Sequence, residues 1–243
     1  FDNDGLKDLM ITNGFKQNAL DNDFRIKLRE RQKSGNISME ERMLWINKIP
    51  AYKANNYFYK NTGDLTFEDK SNVWVNSAKN ISNGAAYADL DQDGDLDLIT
   101  NNIDDYASIL ENTSVKTNYF QVDLKSKENK KALLLNAKVY AYAKDNIYYQ
   151  ELTATRGFQS AVEPLIHFGL GENTQIDSLK VLWNNRKQET FGNLTANQRK
   201  EIFIEDALEK TNYKKQKTET FFTKVTKSFF NDNSSLSKAL KIE

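Results

Sequence analysis

Between residues 89 and 97 the chain reads DLDQDGDLD, which places Asp89, Asp91, Asp93 and Asp97 at the first, third, fifth and ninth places of a loop and Gly94 at the sixth. Few segments constrain a fold so tightly. Alternate side chains on a tight, extended loop converge on one centre, and the glycine permits the sharp turn that brings the ninth residue back to the first. Four carboxylates so close repel one another unless a cation sits among them. Hard oxygen donors, with the Asp95 carbonyl available at the seventh place, point to Ca2+; magnesium tolerates irregular geometry poorly. An EF-hand shares the first, third, fifth and sixth places, but its twelfth requires a bidentate glutamate where this chain has Thr100, and the flanks alternate like strands. A solvated Asp/Gly turn is the bland alternative, and four correctly spaced carboxylates favour the ion over it.

The same pattern stands at the start of the chain, FDNDGLKDL, where Asp2, Asp4, Gly5, the Leu6 carbonyl and Asp8 take the third, fifth, sixth, seventh and ninth places. The first place would precede Phe1. With one carboxylate fewer, this copy is expected to bind calcium weakly or not at all, because ligand count sets affinity. The copies stand 89 residues apart, Asp4 to Asp93. Removing an inserted helical segment leaves about sixty residues, a plausible period for one four-stranded blade of a propeller.

That insertion covers about residues 20–50. Asp23 can cap a helix over FRIKLRERQK that stops at Gly35, and Ser38-Met39-Glu40-Glu41 is a capping box before RMLWINKI, ended by Pro50. Around it, short runs such as Tyr57-Phe58-Tyr59, Leu65-Thr66-Phe67, Ala85-Ala86-Tyr87, Leu96 to Thr100 and Ser108-Ile109-Leu110 are separated by Asn, Gly and Asp, as in small antiparallel strands. From Asn118 the strands lengthen: YFQVDL, AKVYAYA, IYYQELTAT, PLIHFGLG, IDSLKVLW and KEIFIE, with turn signals at Asn184-Asn185 and Gly192-Asn193. Their period-two alternation predicts a two-sheet antiparallel sandwich. The expected fold class is all-β: partial propeller blades with a helical hairpin insertion over residues 1–114, then an antiparallel β-sandwich over 115–206. A polar, basic linker over 207–220 and the start of a further repeat unit over 221–243 complete the expected organisation.

The loops, together with NYFYKNTGDLTFED (56–69) and NGAAYADLDQDGDLDL (83–98), resemble FG-GAP repeats of the VCBS kind, the calcium-loop blades also found in integrin α-subunit propellers. Residues 118–205, with NAKVYAYA, TATRGFQS, PLIHFGLG, IDSLKVLW and NLTANQ, resemble the ASPIC/UnbV domain that follows such repeats in large surface proteins. The chain departs from the usual pattern at Lys131 to Leu135, where a glycine-containing turn is common, and at Asn184-Asn185-Arg186, where Pro-Asp-Gly is commoner. The resemblance implies an internal piece of a secreted or outer-surface protein that recognises a protein or glycan.

Composition excludes several other functions. With 34 basic and 34 acidic residues, the total charge gives no grip on nucleic acid or an anionic membrane. The basic run Lys214-Lys215-Gln216-Lys217 and the face from Arg25 to Lys33 read as solvated. Zero cysteines remove disulfides and thiolate chemistry. No apolar run approaches the roughly 18 residues of a membrane span. The lone histidine, His167, lies in an alternating strand and reads as a packed residue, and no nucleophile or phosphate-loop motif accompanies it. A non-enzymatic module is expected, with a non-catalytic scaffold of a larger surface enzyme as the alternative. Tyr148, Tyr149, Trp74 and Trp183 are the aromatic residues that a glycan platform would draw on, although most are expected in packing.

Overall fold

The computed structural model describes residues 1–14, 21–33, 35, 37–49, 51, 53–76 and 79–210. In chain order the elements are β1 (Leu9–Ile11), α1 (Asn22–Lys33), α2 (Met39–Asn47), β2 (Tyr57–Asn61), β3 (Phe67–Asp69), β4 (Ser82–Ala88), β5 (Asp97–Asn102), β6 (Ser108–Leu110), β7 (Asn118–Lys125), β8 (Lys138–Ala143), β9 (Asn146–Glu151), β10 (Ile166–Gly171), β11 (Gln175–Leu182), β12 (Lys187–Thr195), β13 (Gln198–Phe203) and β14 (Glu209–Lys210). Strands hold 42% of the residues against 12% in helices, so the class is all-β as expected. Residues 1–211 form one compact unit. The further repeat unit expected over 221–243, and most of the expected linker, lie outside the described residues.

The first half makes two small antiparallel sheets, β1-β2-β3 and β4-β5-β6, neither of them closed. Their interior is thin in apolar side chains, with Phe58, Ile81 and Leu98 buried beside Ser71, Ser82, Thr100 and Asn102. Buried polar groups are tolerated only when paired. Here Ser82 Oγ donates to Asn102 Oδ1 at 2.7 Å, and Asn102 Nδ2 donates to Ser108 Oγ at 2.8 Å. These bonds tie β4, β5 and β6 together through side chains.

The helical hairpin forms with one correction. Asp21, not Asp23, caps α1, its Oδ1 accepting the Phe24 amide at 2.8 Å. Asp23 sits inside the first turn, where a carboxylate still complements the helix dipole. Ser38 caps α2 as read, its Oγ accepting the Glu41 amide at 3.1 Å. The helices are clasped by Arg31, whose Nε and guanidinium nitrogen reach Glu41 at 2.5 and 2.7 Å, and by the Phe24 and Trp45 rings, 5.9 Å apart.

The second half is a sandwich of β10-β7-β13 against β14-β12-β11-β8-β9. Phe120, Val122 and Leu124 of β7, with Ile166, Phe168 and Leu170 of β10, meet Val139, Ala141, Ile176, Leu179 and Val181 from the other sheet. Removing one such side chain from water contributes about 1.5–3 kcal/mol. One pairing departs from the antiparallel expectation: β13 runs parallel to β7. The Gly192-Asn193 turn signal is also corrected, since both residues lie inside β12, with Gly192 opposite Ser178 and Asn193 kinked at φ 54°. The Asn184-Asn185 turn forms where expected, with Arg186 at φ 67°. β14 pairs with β12, so the sheet continues into the segment expected as linker.

β7 is buried on both faces. Period-two alternation sends Phe120, Val122 and Leu124 into the sandwich and Gln121 and Asp123 the other way, and those two are buried as well. Gln121 is covered by the second acidic loop.

Candidate metal centre

β4 and β5 pair up to Ala88 opposite Asp97, so the segment between them is a hairpin loop with its ends side by side. Two left-handed residues, Gln92 at φ 64° and Gly94 at φ 95°, fold it inward. The carboxylates then organise the backbone: Asp91 Oδ1 accepts the Asp93 amide at 3.3 Å, Asp93 Oδ1 the Asp95 amide at 3.2 Å, and Asp89 Oδ2 the Gly94 amide at 3.2 Å. Asp97 brackets the ends, Oδ2 accepting the Leu90 amide at 2.9 Å and Oδ1 the Asn112 amide at 2.8 Å.

Of the five aspartates expected here, Asp89, Asp91 and Asp93 each bring one oxygen within 4.8 Å of the others. Asp89 Oδ1 and Asp95 Oδ1 are buried with no hydrogen-bond partner among the described residues. Burial, reinforced by the charges of Asp93, Asp97, Asp91 and Asp89, pushes the Asp95 carboxyl up to about 7. Orphaned buried carboxylate oxygens are costly, and their cost falls when a hard divalent cation accepts them. The residues present therefore fit calcium: Asp89, Asp91 and Asp93 would hold it. Calcium there would supply positive charge that offsets the repulsion among the carboxylates. Asp97 lies outside that three-residue group, and each of its oxygens accepts one backbone amide. Lys116 Nζ lies 3.5 Å from Asp93 Oδ2 on a largely exposed side chain.

The first loop repeats this geometry except for the bond that Asp89 accepts from Gly94. Asn3 and Gly5 are left-handed at φ 55° and 93°. Asp2 Oδ1 accepts the Asp4 amide at 3.3 Å, and Asp4 Oδ1 the Leu6 amide at 2.8 Å. Asp8 is the bracket, Oδ1 accepting the Asn61 amide at 2.9 Å and Oδ2 the Phe1 nitrogen at 2.6 Å. This loop holds a cation more closely than its counterpart does: the sheltered Lys60 Nζ bonds to the Asp2 carboxylate and lies 3.1 Å from Asp4 Oδ2, whereas the exposed Lys116 reaches Asp93 alone. The hydrogen bond to Asp2 raises the Lys60 pKa above its ordinary value, against the opposing effect of burial.

The sandwich grips both loops. A Cβ on Gly94 would lie 1.8 Å from Tyr119 Cε1, and one on Gly5 would lie 2.4 Å from Tyr148 Cε1, so each loop glycine receives a tyrosine ring. Gln121 Nε2 donates to Asp89 Oδ2 at 2.9 Å. Asn3 links three parts, its Nδ2 donating to the Gly94 carbonyl at 2.9 Å and its Oδ1 lying 2.8 Å from His167 Nε2. His167 stacks on Tyr119 at 5.9 Å, and burial pushes its imidazole down to about 4. Trp183 is in the sandwich core, while Tyr149 remains exposed.

Sequence reasoning missed Asn3, Lys60, Asn112, Tyr119 and Gln121. One signal was available: Lys60-Asn61-Thr62 and Glu111-Asn112-Thr113 share an Asn-Thr pair after an equivalent strand. Those asparagines also donate to equivalent carbonyls, Asn61 to Lys7 at 3.2 Å and Asn112 to Leu96 at 3.2 Å.

Paired acidic-loop sheets gripped by a β-sandwich define the class as an all-β repeat-and-sandwich protein. Residues 44–100 match the FG-GAP-like repeat and residues 125–209 match ASPIC and UnbV, so the chain combines an FG-GAP-like repeat with an ASPIC/UnbV domain. The second acidic loop falls inside the first match. No curated protein matches the chain. Both domains are typical of extracellular or surface proteins. Among the described residues, no helix is long and apolar enough to cross a membrane.

Proposed function

We propose that this chain is a calcium-stabilised, non-enzymatic binding module of a secreted or outer-surface protein, with blades of a propeller carrying an ASPIC/UnbV sandwich that together present loops to a protein or glycan. The observation that carries the reading is the second loop, where three carboxylates converge and two buried oxygens of Asp89 and Asp95 have no partner among the described residues. A cation there stabilises the hairpin and, through Gln121 on Asp89, the seat of the sandwich. The calcium is structural. His167 supports the non-enzymatic part: its ring is stacked on Tyr119 and directed to Asn3, an arrangement that holds two halves together.

Titration calorimetry on the metal-stripped chain tests this reading. Binding of calcium at or below millimolar concentrations, the range of extracellular modules, is expected. Absence of heat up to that range would remove the calcium part, and pull-down against glycan arrays and surface extracts addresses the partner.

A further inference from the structure

Over the places they share, the two acidic loops have the same hydrogen-bond pattern, yet they differ in the strand that flanks them. The residue before the bracketing asparagine is Lys60 in the first copy and Glu111 in the second. In the first, the Lys60 ammonium bonds to Asp2 and stands 3.1 Å from Asp4. Their counterparts by loop geometry, Asp91 and Asp93, lie instead with Asp89 in the three-carboxylate cluster. Lys60, Asp2 and Asp4 are all half-buried, with side chains 30%, 23% and 29% exposed, so this contact is sheltered more than an ordinary surface pair.

We infer that Lys60 is a tethered cation that takes the place of a divalent ion in the first loop, so that one loop of the pair is metal-independent and the other metal-dependent. An ammonium is a compact point charge with three donors, able to satisfy two carboxylates at once. It is fixed to β2, so its local concentration does not depend on the medium. β2 is paired to β1, the strand that follows the loop, and the lysine therefore arrives with the sheet. The first loop then keeps its shape when calcium is withdrawn, and it continues to offer Gly5 to Tyr148 and Asn3 to His167. The sandwich stays seated on one loop while the other responds to calcium. Removal of the amine would open Asp2, Asp4 and the Leu6 carbonyl to a diffusible cation.

The division between loops rests on the calcium reading of the second loop, and the test separates the two. Calcium binding is measured by calorimetry on the whole chain and on Asp93→Ala, Lys60→Met and the double variant, with thermal melts in chelator alongside. One ion is expected for the parent and none for Asp93→Ala, while Asp93→Ala/Lys60→Met regains one at the lower affinity that the smaller ligand set of the first loop allows. In chelator Lys60→Met should melt about 2–4 °C below the parent, with calcium restoring the loss. Calcium still bound by Asp93→Ala, no ion gained by the double variant, or an unchanged melt of Lys60→Met in chelator would each overturn the inference. A parent that binds no calcium defeats the reading of the second loop, and the chelator melt of Lys60→Met still decides whether Lys60 holds the first.

Discussion

The ring of Tyr119 occupies the space that a side chain on Gly94 would need, with Cε1 only 1.8 Å from the ideal Cβ position. Gly94 is also left-handed, at φ 95°. Gly94→Ala therefore meets steric overlap and backbone strain together, and a loss of about 3 kcal/mol or more is expected. Tyr119→Ala in the same chain removes the overlap but not the strain. Urea denaturation of both single variants and the pair should show non-additivity of about 1–2 kcal/mol. Additive losses would mean that the ring does not seat on this loop.

Asp93 and Asp97 belong to one motif but have different work. Asp97 is buried and its two oxygens accept amides from Leu90 and Asn112, so Asp97→Ala orphans two donors at the neck of the loop. A cost of about 2–4 kcal/mol is expected with or without calcium. Asp93→Ala should lower the melting temperature much more in calcium than in chelator, where it loses only the long bond from the Asp95 amide, because an ion bound to the native state alone is what raises stability. Paired melts of both variants check the contrast, and equal behaviour would contradict the separation of bracket from ligand.

Much of this was legible because the acidic loops impose local rules. Aspartate spacing and the sixth-place glycine fix a hairpin loop without reference to the rest of the chain, and alternation marked most of the sandwich strands. What escaped was set by tertiary contact. Nothing local in YFQVDL tells that Gln121 will reach Asp89, or that Tyr119 will cover Gly94. Lys60 carried no signal of its own in the sequence, since Asp2, to which it bonds, stands 58 residues away. The parallel pairing of β13 with β7 is likewise invisible to periodicity, which is the same for either direction. Gly192-Asn193 shows the converse error, for a turn dipeptide can also kink a strand held by its neighbour, here β11.

Leu65 lies in the turn between β2 and β3 at φ 57°, with 97% of its surface exposed. A leucine in the left-handed region carries about 1–2 kcal/mol of strain, and here no packing offsets it. Asparagine tolerates that conformation better and keeps more backbone restriction in the unfolded chain than glycine does. Leu65→Asn should raise stability by about 0.5–1 kcal/mol, read as a higher urea midpoint with unchanged slope. A lower midpoint would mean that the turn adopts another conformation.

His167 gives the fold a pH dependence of definite sign. Burial holds its folded pKa at about 4, below the ordinary 6.5, so between those values the unfolded chain binds the proton more readily. The contribution is complete above pH 6.5 and is lost as pH falls through 4, with a slope of up to ~1.4 kcal/mol per pH unit. Asp95 acts in the opposite sense in chelator, since its carboxyl, raised by burial to about 7, favours the folded state at low pH and loses that effect as pH rises. Comparing the parent with His167→Gln at each pH cancels the aspartate and leaves the imidazole. The parent should therefore lose stability faster than His167→Gln between pH 6.5 and 4 in urea titrations. Parallel profiles would place the ring in contact with water, and the bond between Asn3 and His167 that joins the first loop to the sandwich would then have to be given up.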